Sequence, residues 1–334
     1  MKENSPPNRE SFLLSPLIMK FALSTRWNAH RHADGEALVQ EILDMGFDRL
    51  ELGYDLRQDL VPGVQSMVER HPGLVDTVHN FCPIPAGVMR GHPELWTLSD
   101  LRDGVRSLAL THTIQTIRFA AGIGAQAVVL HSGNVKMRRY TPRLIDLHRA
   151  GKLFTAKYER LKMKMQIQRE RKVPVQLEHL QRSLEQILPI LEECQIRLGI
   201  ENLPSWESIP TEMELTRILE QFNSPRLGYW HDMGHGQVRQ NLGLINHERW
   251  LERLQPWLIG MHIHDVIPPT GDHVMPPKGA IDFTHFRPFG TLEIFRVLEP
   301  SPYVSQADVL TGFDIIKRAW TEGPAPHANE SVKV

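Results

Sequence analysis

The chain has few of the features that mark several large classes of protein. Its 334 residues include only two cysteines, Cys82 and Cys194, which form no CxxC pair. That scarcity excludes a disulfide framework and favours a reducing cytosol. The formal net charge is −1, so no overall charge excess points to nucleic acid or to a membrane. No apolar run approaches the roughly 20 residues of a membrane helix, and we expect a cytoplasmic protein.

The motifs of several common enzyme classes are absent as well. The sequence contains no GxSxG, no P-loop and no HExxH, which leaves serine hydrolase, NTPase and zincin chemistry without support. No GxGxxG follows the first predicted strand, which disfavours a dinucleotide-binding sheet.

The two ends of the chain differ from its middle. Residues 1–18 mix charged residues, prolines and a weakly apolar stretch that Pro16 interrupts. We expect a flexible N-terminal extension there and no secretory signal. Residues 321–334 are predicted to be a flexible tail. A single domain is predicted between them, over residues 19–320.

Short apolar runs alternate with amphipathic helical patterns through this domain. Eight runs are predicted as strands: 20–25, 48–54, 74–81, 125–133, 196–204, 226–234, 257–266 and 291–300. Eight strands with helices between them predict an α/β fold, a (β/α)8 TIM barrel. Polar residues end nearly every predicted strand, which favours the barrel over an open doubly wound sheet.

One segment, residues 134–175, interrupts the alternation of strands and helices after the fourth strand. From Lys136 to Lys172 it contains 13 Lys or Arg residues against three acidic ones. We interpret it as a basic helical insertion at the C-terminal end of the barrel strands. Two roles stay open: a solvated lid or homo-oligomer arm, or a surface that collects phosphate from a phosphorylated substrate or from DNA.

Four residues lie at strand ends with spacings of about one strand–helix unit. Glu201, Asp232, His262 and Glu299 are separated by 31, 30 and 37 residues. The C-terminal strand ends of a parallel barrel converge on one face, where three carboxylates would repel one another without a cation. A divalent metal site is the economical interpretation. The alternatives are a salt bridge from Glu201 to an arginine and a local hydrogen bond between Asp232 and His235.

Further polar residues near strand ends are candidates for contact with a substrate. Those candidates are Glu51, His79, His131, Trp206, His264, His273 and Lys278. Lys278 is the residue expected to meet a substrate anion, and His264 with Asp265 is expected to orient the ligands. Structural roles remain open for the histidines, for a packed Trp206 and for a solvent loop around His273.

The ordered set HNF, LHSG, IENLP, HDMGH, MHIHD and VLEP resembles the xylose isomerase-like TIM-barrel superfamily over residues 19–320, apart from the insertion. The resemblance implies an isomerase or epimerase of a sugar, sugar phosphate or related hydroxy-carbonyl compound, with proton transfer through an enediolate. It implies one divalent metal ion on Glu201, Asp232, His262 and Glu299. It also implies that the two glutamates move the proton and that His235 contacts substrate oxygens. The oxygen-rich donors favour Mn²⁺, with Mg²⁺, Co²⁺ or Zn²⁺ as alternatives.

The same resemblance leaves two other functions open. One is that of an endonuclease IV-like enzyme with three zinc ions, for which His79, His131, His235 and His273 have counterparts. That branch expects an Asp where Gly271 stands, and the chain is neutral overall, so we expect no nucleic-acid partner. The other is a non-catalytic subunit of a complex.

Overall fold

Eight short parallel strands close into a barrel in a computed structural model that describes residues 19–322. Their order around the barrel follows the chain, and the last strand pairs with the first. In chain order, the ten strands of the described residues are β1 (Ala22–Ser24), β2 (Leu50–Leu52), β3 (Val75–His79), β4 (Ala127–Leu130), β5 (Arg197–Glu201), β6 (Leu227–Asp232), β7 (Leu258–Ile263), β8 (Asp265–Ile267), β9 (Gly271–Val274) and β10 (Phe295–Leu298). All except β8 and β9 belong to the barrel. The TIM-barrel prediction is confirmed, and each of the eight predicted strands contains an observed one.

Helices follow most of the barrel strands. They are α1 (Gly35–Asp44), α2 (Val61–Arg70), α3 (Asp103–Gly122), α4 (Thr141–Arg149), α5 (Ala156–Cys194), α6 (Glu212–Phe222), α7 (Met233–Asn241), α8 (His247–Leu254), α9 (Arg287–Gly290) and α10 (Gln306–Thr321). Within residues 19–322, none of these helices has a stretch apolar and long enough to cross a bilayer. The predicted N-terminal extension, and the tail from residue 323 onward, lie outside the described residues.

The connection between β4 and β5 differs in one respect from the sequence-based expectation. The second half of the basic segment and the helical pattern before the fifth strand form one continuous helix, α5, of 39 residues, whereas the first half contains the separate helix α4. Its first turns are held by a small apolar cluster in which Tyr158 and Met165 pack against Tyr140 and Leu144. The Tyr158 hydroxyl also donates to the Leu242 carbonyl at 2.6 Å. The basic segment is therefore packed against the body of the barrel.

The connection after β7 is the second difference. The sequence predicts a Gly- and Pro-rich loop, whereas β8 and β9 form a short antiparallel hairpin. Asp265 organises it, because its carboxylate accepts hydrogen bonds from the backbone N–H groups of Val266, Gly279 and Ile281. These bonds fix the position of the segment that carries His273.

The barrel interior is filled below its C-terminal face by the fully buried indole of Trp230 on β6. This ring packs with Ala22, Val129 and Val297 from three other strands. Alternate residues of a strand share one face of the sheet. The residues two positions further along therefore project from the same inner face at the mouth, among them His131, Asp232 and Glu299.

Gly260 on β7 leaves room for this indole. A Cβ atom at Gly260 would lie 2.1 Å from Cζ3 of Trp230. We expect Gly260→Ala to lower the free energy of unfolding by about 1–3 kcal/mol, because a filled barrel gives the ring nowhere to move. The control is Gly122→Ala at the end of α3, where nothing lies within 4 Å. It should leave stability unchanged or raise it by up to ~1 kcal/mol. Urea unfolding measures both, and equal stabilities would contradict the packing argument.

Candidate active site

The four residues predicted to share a cation lie together at the mouth of the barrel. Glu201 and Asp232 end β5 and β6, His262 lies near the end of β7, and Glu299 follows β10. All four are at most 3% exposed. The Nδ1 atom of His262 lies 3.2 Å from Glu201 Oε1, 3.5 Å from Glu299 Oε2 and 3.9 Å from Asp232 Oδ2. One imidazole nitrogen thus faces three carboxylates from three strands.

Glu51 fixes the orientation of the His262 ring from its other side. Both Glu51 carboxylate oxygens lie 3.1 Å from His262 Nε2, and Thr77 Oγ1 donates to Glu51 at 2.9 Å. With one ring nitrogen of His262 donating to Glu51, the other, Nδ1, is the atom directed at the three carboxylates. Glu51 was expected to contact substrate. It is instead fully buried, in a position that orients His262.

Two further histidines surround Glu201. The Nε2 atoms of His79 and His131 lie 3.3 Å and 2.9 Å from Glu201 Oε2, and the His79 ring is stacked on that of His262. Burial alone would raise the pKa of Glu201, but the imidazoles of His131 and His262 hold this pKa well below its ordinary value. Glu201 is therefore a carboxylate in positive surroundings.

Asp232 is held by the start of the following helix and by His264. Its Oδ1 accepts the first-turn N–H of His235 at 2.6 Å, as an N-cap residue does. Nε2 of His264 lies 3.1 Å from both Asp232 oxygens. The backbone N–H of His273 donates to His264 Nδ1 at 2.9 Å, so the Nε2 proton points at Asp232.

His235 is oriented toward the open part of the site. Its Nδ1 lies 2.9 Å from the Asn202 carbonyl and 3.5 Å from oxygens of both Glu201 and Asp232. Since Nδ1 donates to the carbonyl, Nε2 is available as an acceptor. His235 lines the cleft beside the site together with His131.

His273 lies beside Glu299, and its ring centroid is 5.9 Å from that of His235. Its Nδ1 is 2.9 Å from the Glu299 carbonyl oxygen and 3.6 Å from Glu299 Oε2, and its ring stacks on His264. Burial lowers the pKa of His273 well below its ordinary value, with His264 adding to the effect. A neutral imidazole is therefore held next to Glu299.

Two of the predicted residues are not brought into this cluster. Lys278 is about half exposed and pairs with Asp308 of α10 at 2.7 Å, so its charge is already engaged. Trp206 packs on the small apolar cluster of α4 and α5, where Arg239 lies over its ring. Packing is the role that the structure gives to Trp206.

Three residues at the site were missed by the sequence analysis. Nη1 of Arg26, just after β1, lies 3.8 Å from Glu299 Oε1. Tyr54, after β2, meets the edge of His79. Asn202, after β5, bonds the backbone N–H and carbonyl of Asp232. Each follows a strand end closely, and that position was the signal that could have identified them.

The donor set fits a divalent cation. Ligand atoms of Glu201, Asp232 and His262 lie within 4.8 Å of one another, and the same holds for His79, His131 and Glu201. The buried Glu201 Oε2 has no hydrogen bond of acceptable geometry, although His131 Nε2 is close. A buried carboxylate oxygen without a hydrogen-bond donor is available as a ligand of a divalent ion. The mouth can therefore hold a metal ion through carboxylate and imidazole groups.

A family model described as the xylose isomerase-like TIM barrel matches residues 39–289 of the chain. An uncharacterised protein of Methanocaldococcus jannaschii is 23% identical over 247 residues, which cover 74% of this chain and 78% of that protein. A second uncharacterised protein of the same organism is 29% identical over 106 residues, 30% of this chain and 34% of that protein.

Solved structures resemble the chain over most of its length. A D-tagatose 3-epimerase-like protein has a TM-score of 0.65 at 19% identity, covering 90% of this chain and 97% of its own. The 3-keto-D-glucoside 4-epimerase of E. coli has a TM-score of 0.64 at 15% identity, with 90% and 99% covered. An L-ribulose 3-epimerase has a TM-score of 0.64 at 13% identity, with 90% and 94% covered. At these identities the likeness shows a shared fold.

The hairpin that carries His273 depends on the buried carboxylate of Asp265. We expect Asp265→Asn to lower the free energy of unfolding by about 1–3 kcal/mol, because an amide has one acceptor oxygen and would turn N–H groups toward the N–H of Gly279 or Val266. Hydrogen exchange should accelerate in residues 265–281. Asp272→Asn, a partly exposed substitution in the same hairpin, is the control. Unchanged exchange in the Asp265 variant would show that the hairpin does not need the carboxylate.

Proposed function

The chain belongs to the xylose isomerase-like TIM-barrel family, and we propose that it is a metal-dependent isomerase or epimerase of a sugar, sugar phosphate or related hydroxy-carbonyl compound. The observation that carries the proposal is the convergence of three carboxylates on His262 Nδ1 at the barrel mouth. The solved structures of similar fold are named as epimerases of sugars, which supports the choice of substrate class.

We assign one divalent ion to Glu201, Asp232, His262 and Glu299. The oxygen-rich donor set favours Mn²⁺, with Mg²⁺, Co²⁺ or Zn²⁺ as alternatives. When bound, such an ion polarises a substrate carbonyl and the neighbouring hydroxyl, which acidifies the C–H bond next to the carbonyl. Glu51 holds the Nε2 proton of His262, so the Nδ1 lone pair is directed at this position.

The chemical step is assigned to the two glutamates. Glu201 and Glu299 both lie next to His262 Nδ1, so a reacting carbon bound here is within reach of two carboxylates. One carboxylate removes the proton next to the carbonyl, which converts the substrate to an enediolate, and a carboxylate returns it. Return to the opposite face of the same carbon gives epimerisation, and return to the neighbouring carbon gives isomerisation.

His235 is assigned to hold a substrate oxygen. Its Nδ1 proton is donated to the Asn202 carbonyl, and its Nε2 atom can accept a hydrogen bond from a substrate hydroxyl. His131 lines the same cleft and provides a second polar contact. These residues orient the substrate so that its reacting carbon lies between the two glutamates, which is a large part of the catalytic advantage.

Solvent exchange tests the acid–base assignment. The metal-reconstituted protein in D2O should incorporate deuterium next to the carbonyl of a ketose such as D-tagatose or L-ribulose, followed by NMR across a panel of sugars. We expect Glu299→Gln to slow this exchange by at least about 100-fold, because the amide cannot accept the proton. Glu293→Gln, an exposed glutamate just before β10, is the control. Exchange at the wild-type rate in the Glu299 variant would refute the assignment.

Metal content tests the ligand assignment. After reconstitution with Mn²⁺ and dialysis, elemental analysis should find one ion per chain, and the ion at 100 times its Kd should stabilise the fold by about 2.7 kcal/mol. Asp232→Asn should lose the ion and this stabilisation. Asp314→Asn, on the exposed side of α10, should retain both. A bound ion in the Asp232 variant at wild-type affinity would contradict the ligand set.

A second candidate function has one specific observation in its favour. Ligand atoms of His235, Asp272 and His273 lie within 4.8 Å of one another, so Asp272 joins this group although Gly271 occupies the expected position. Together with the group at His79, His131 and Glu201 and the group at Glu201, Asp232 and His262, this arrangement could hold three zinc ions, as in endonuclease IV-like enzymes. Three tightly held zincs per chain and cleavage of abasic duplex DNA would favour that function over ours.

A further inference from the structure

A cleft of about 830 Å³ opens beside the four-residue centre. His131 and His235 line the part next to Glu201. Lys136, Arg139 and Lys172 line the part formed by the basic segment, and we call these three residues the cationic wall. The volume is that of a small-molecule site, so one ligand of this size can contact the centre and the cationic wall together.

The cationic wall is fixed by hydrogen bonds to the body of the protein. Gln176 on α5 is buried and accepts the backbone N–H of Lys136 at 2.6 Å. The Gln176 amide donates to the carbonyls of Asn134 and Ser99 at 2.8 and 3.1 Å. The Lys172 ammonium donates to the Lys136 carbonyl at 3.2 Å. These hydrogen bonds join the segment that follows β4 to α5, next to the three cations.

Within the described part of the chain, the side chains of the cationic wall are not held in direct ion pairs. Over residues 19–322, no carboxylate oxygen lies within 4.0 Å of the side-chain nitrogens of these three residues. The acidic residues of the cleft already have partners. Glu207 accepts the backbone N–H of Thr141, Asp100 accepts the Arg102 guanidinium, and Glu94 accepts the Asn134 amide. Three cationic side chains in the cleft are therefore available to contact a ligand.

We propose that the cationic wall binds an anionic group of the substrate, a phosphate or a carboxylate at the end remote from the reacting carbon. Lysine and arginine bind such oxygens through charge-assisted hydrogen bonds. The placement of the reacting end rests on the proposed function, whereas the anion site rests on the cleft itself. A compact anion fits better than a DNA backbone, because the three cations line one bounded cleft of small-molecule size and not an extended surface stripe.

Calorimetry on the metal-reconstituted full chain tests the inference. The probes are D-fructose, D-fructose 6-phosphate for the phosphate arm and 5-keto-D-gluconate for the carboxylate arm. We expect at least one anionic probe to bind about tenfold or more tightly than D-fructose, as charge-assisted contacts imply. Arg139→Ala/Lys172→Ala should remove this preference. Arg138→Ala/Arg171→Ala, which alters the adjacent residues with the same loss of charge, should keep it.

The outcomes separate this inference from the proposed function. Equal affinity for all three probes, or an equal effect of the two double variants at unchanged melting temperature, would overturn the inference. Binding of abasic duplex DNA that depends on Arg139 and Lys172, without binding of either anionic probe, would overturn it too. Selective binding of an anionic probe without proton exchange in any ketose would leave the anion site standing and reject the isomerase proposal. Proton exchange in neutral ketoses, without preferential binding of either anionic probe, would support the isomerase proposal and reject the anion site.

Discussion

The concentration of negative charge at the mouth of the barrel is the constraint on which the rest of the site depends. Three carboxylates from three strands face one imidazole nitrogen in a place with almost no solvent access. Two like charges about 4 Å apart repel by roughly 4 kcal/mol at an effective dielectric constant of 20. Burial would lower the pKa of His262, yet Glu299, Glu51 and Glu201 raise it well above its ordinary value, which shows how strongly the site selects positive charge.

The barrel holds these groups together by close packing beneath and beside them. The indole of Trp230 fills the interior directly below, and Gly260 leaves the space that it needs. Beside Asp232, a Cβ at Gly234 would lie 1.9 Å from Cε1 of His264. The sequence DMGHG thus combines an N-cap carboxylate, an imidazole that lines the cleft and a glycine that admits a second imidazole against the helix. The three groups lie close together in sequence because all of them belong to the N-terminus of α7.

Strand periodicity explains which parts of the site were predictable. A residue at the inner face of a strand end must point into the mouth, so Glu201, Asp232, His262 and Glu299 could be grouped from spacing alone. Loop residues have no such rule. Lys278 turns to Asp308 because of a contact between residues far apart in sequence. The continuous course of α5 also escaped prediction, since Pro174 lies inside it and proline usually ends a helix.

The two glutamates assigned to proton transfer have different surroundings. This difference distinguishes the two sides of the site from which a substrate could be bound. Glu201 is surrounded by imidazoles, two of which line the cleft. Glu299 faces the guanidinium of Arg26 and the partly buried ring of His273. A substrate anchored at the cationic wall therefore approaches the centre past Glu201 and places its free end toward Glu299. The basic segment, which interrupts the regular barrel, would in this way set which end of the substrate reacts.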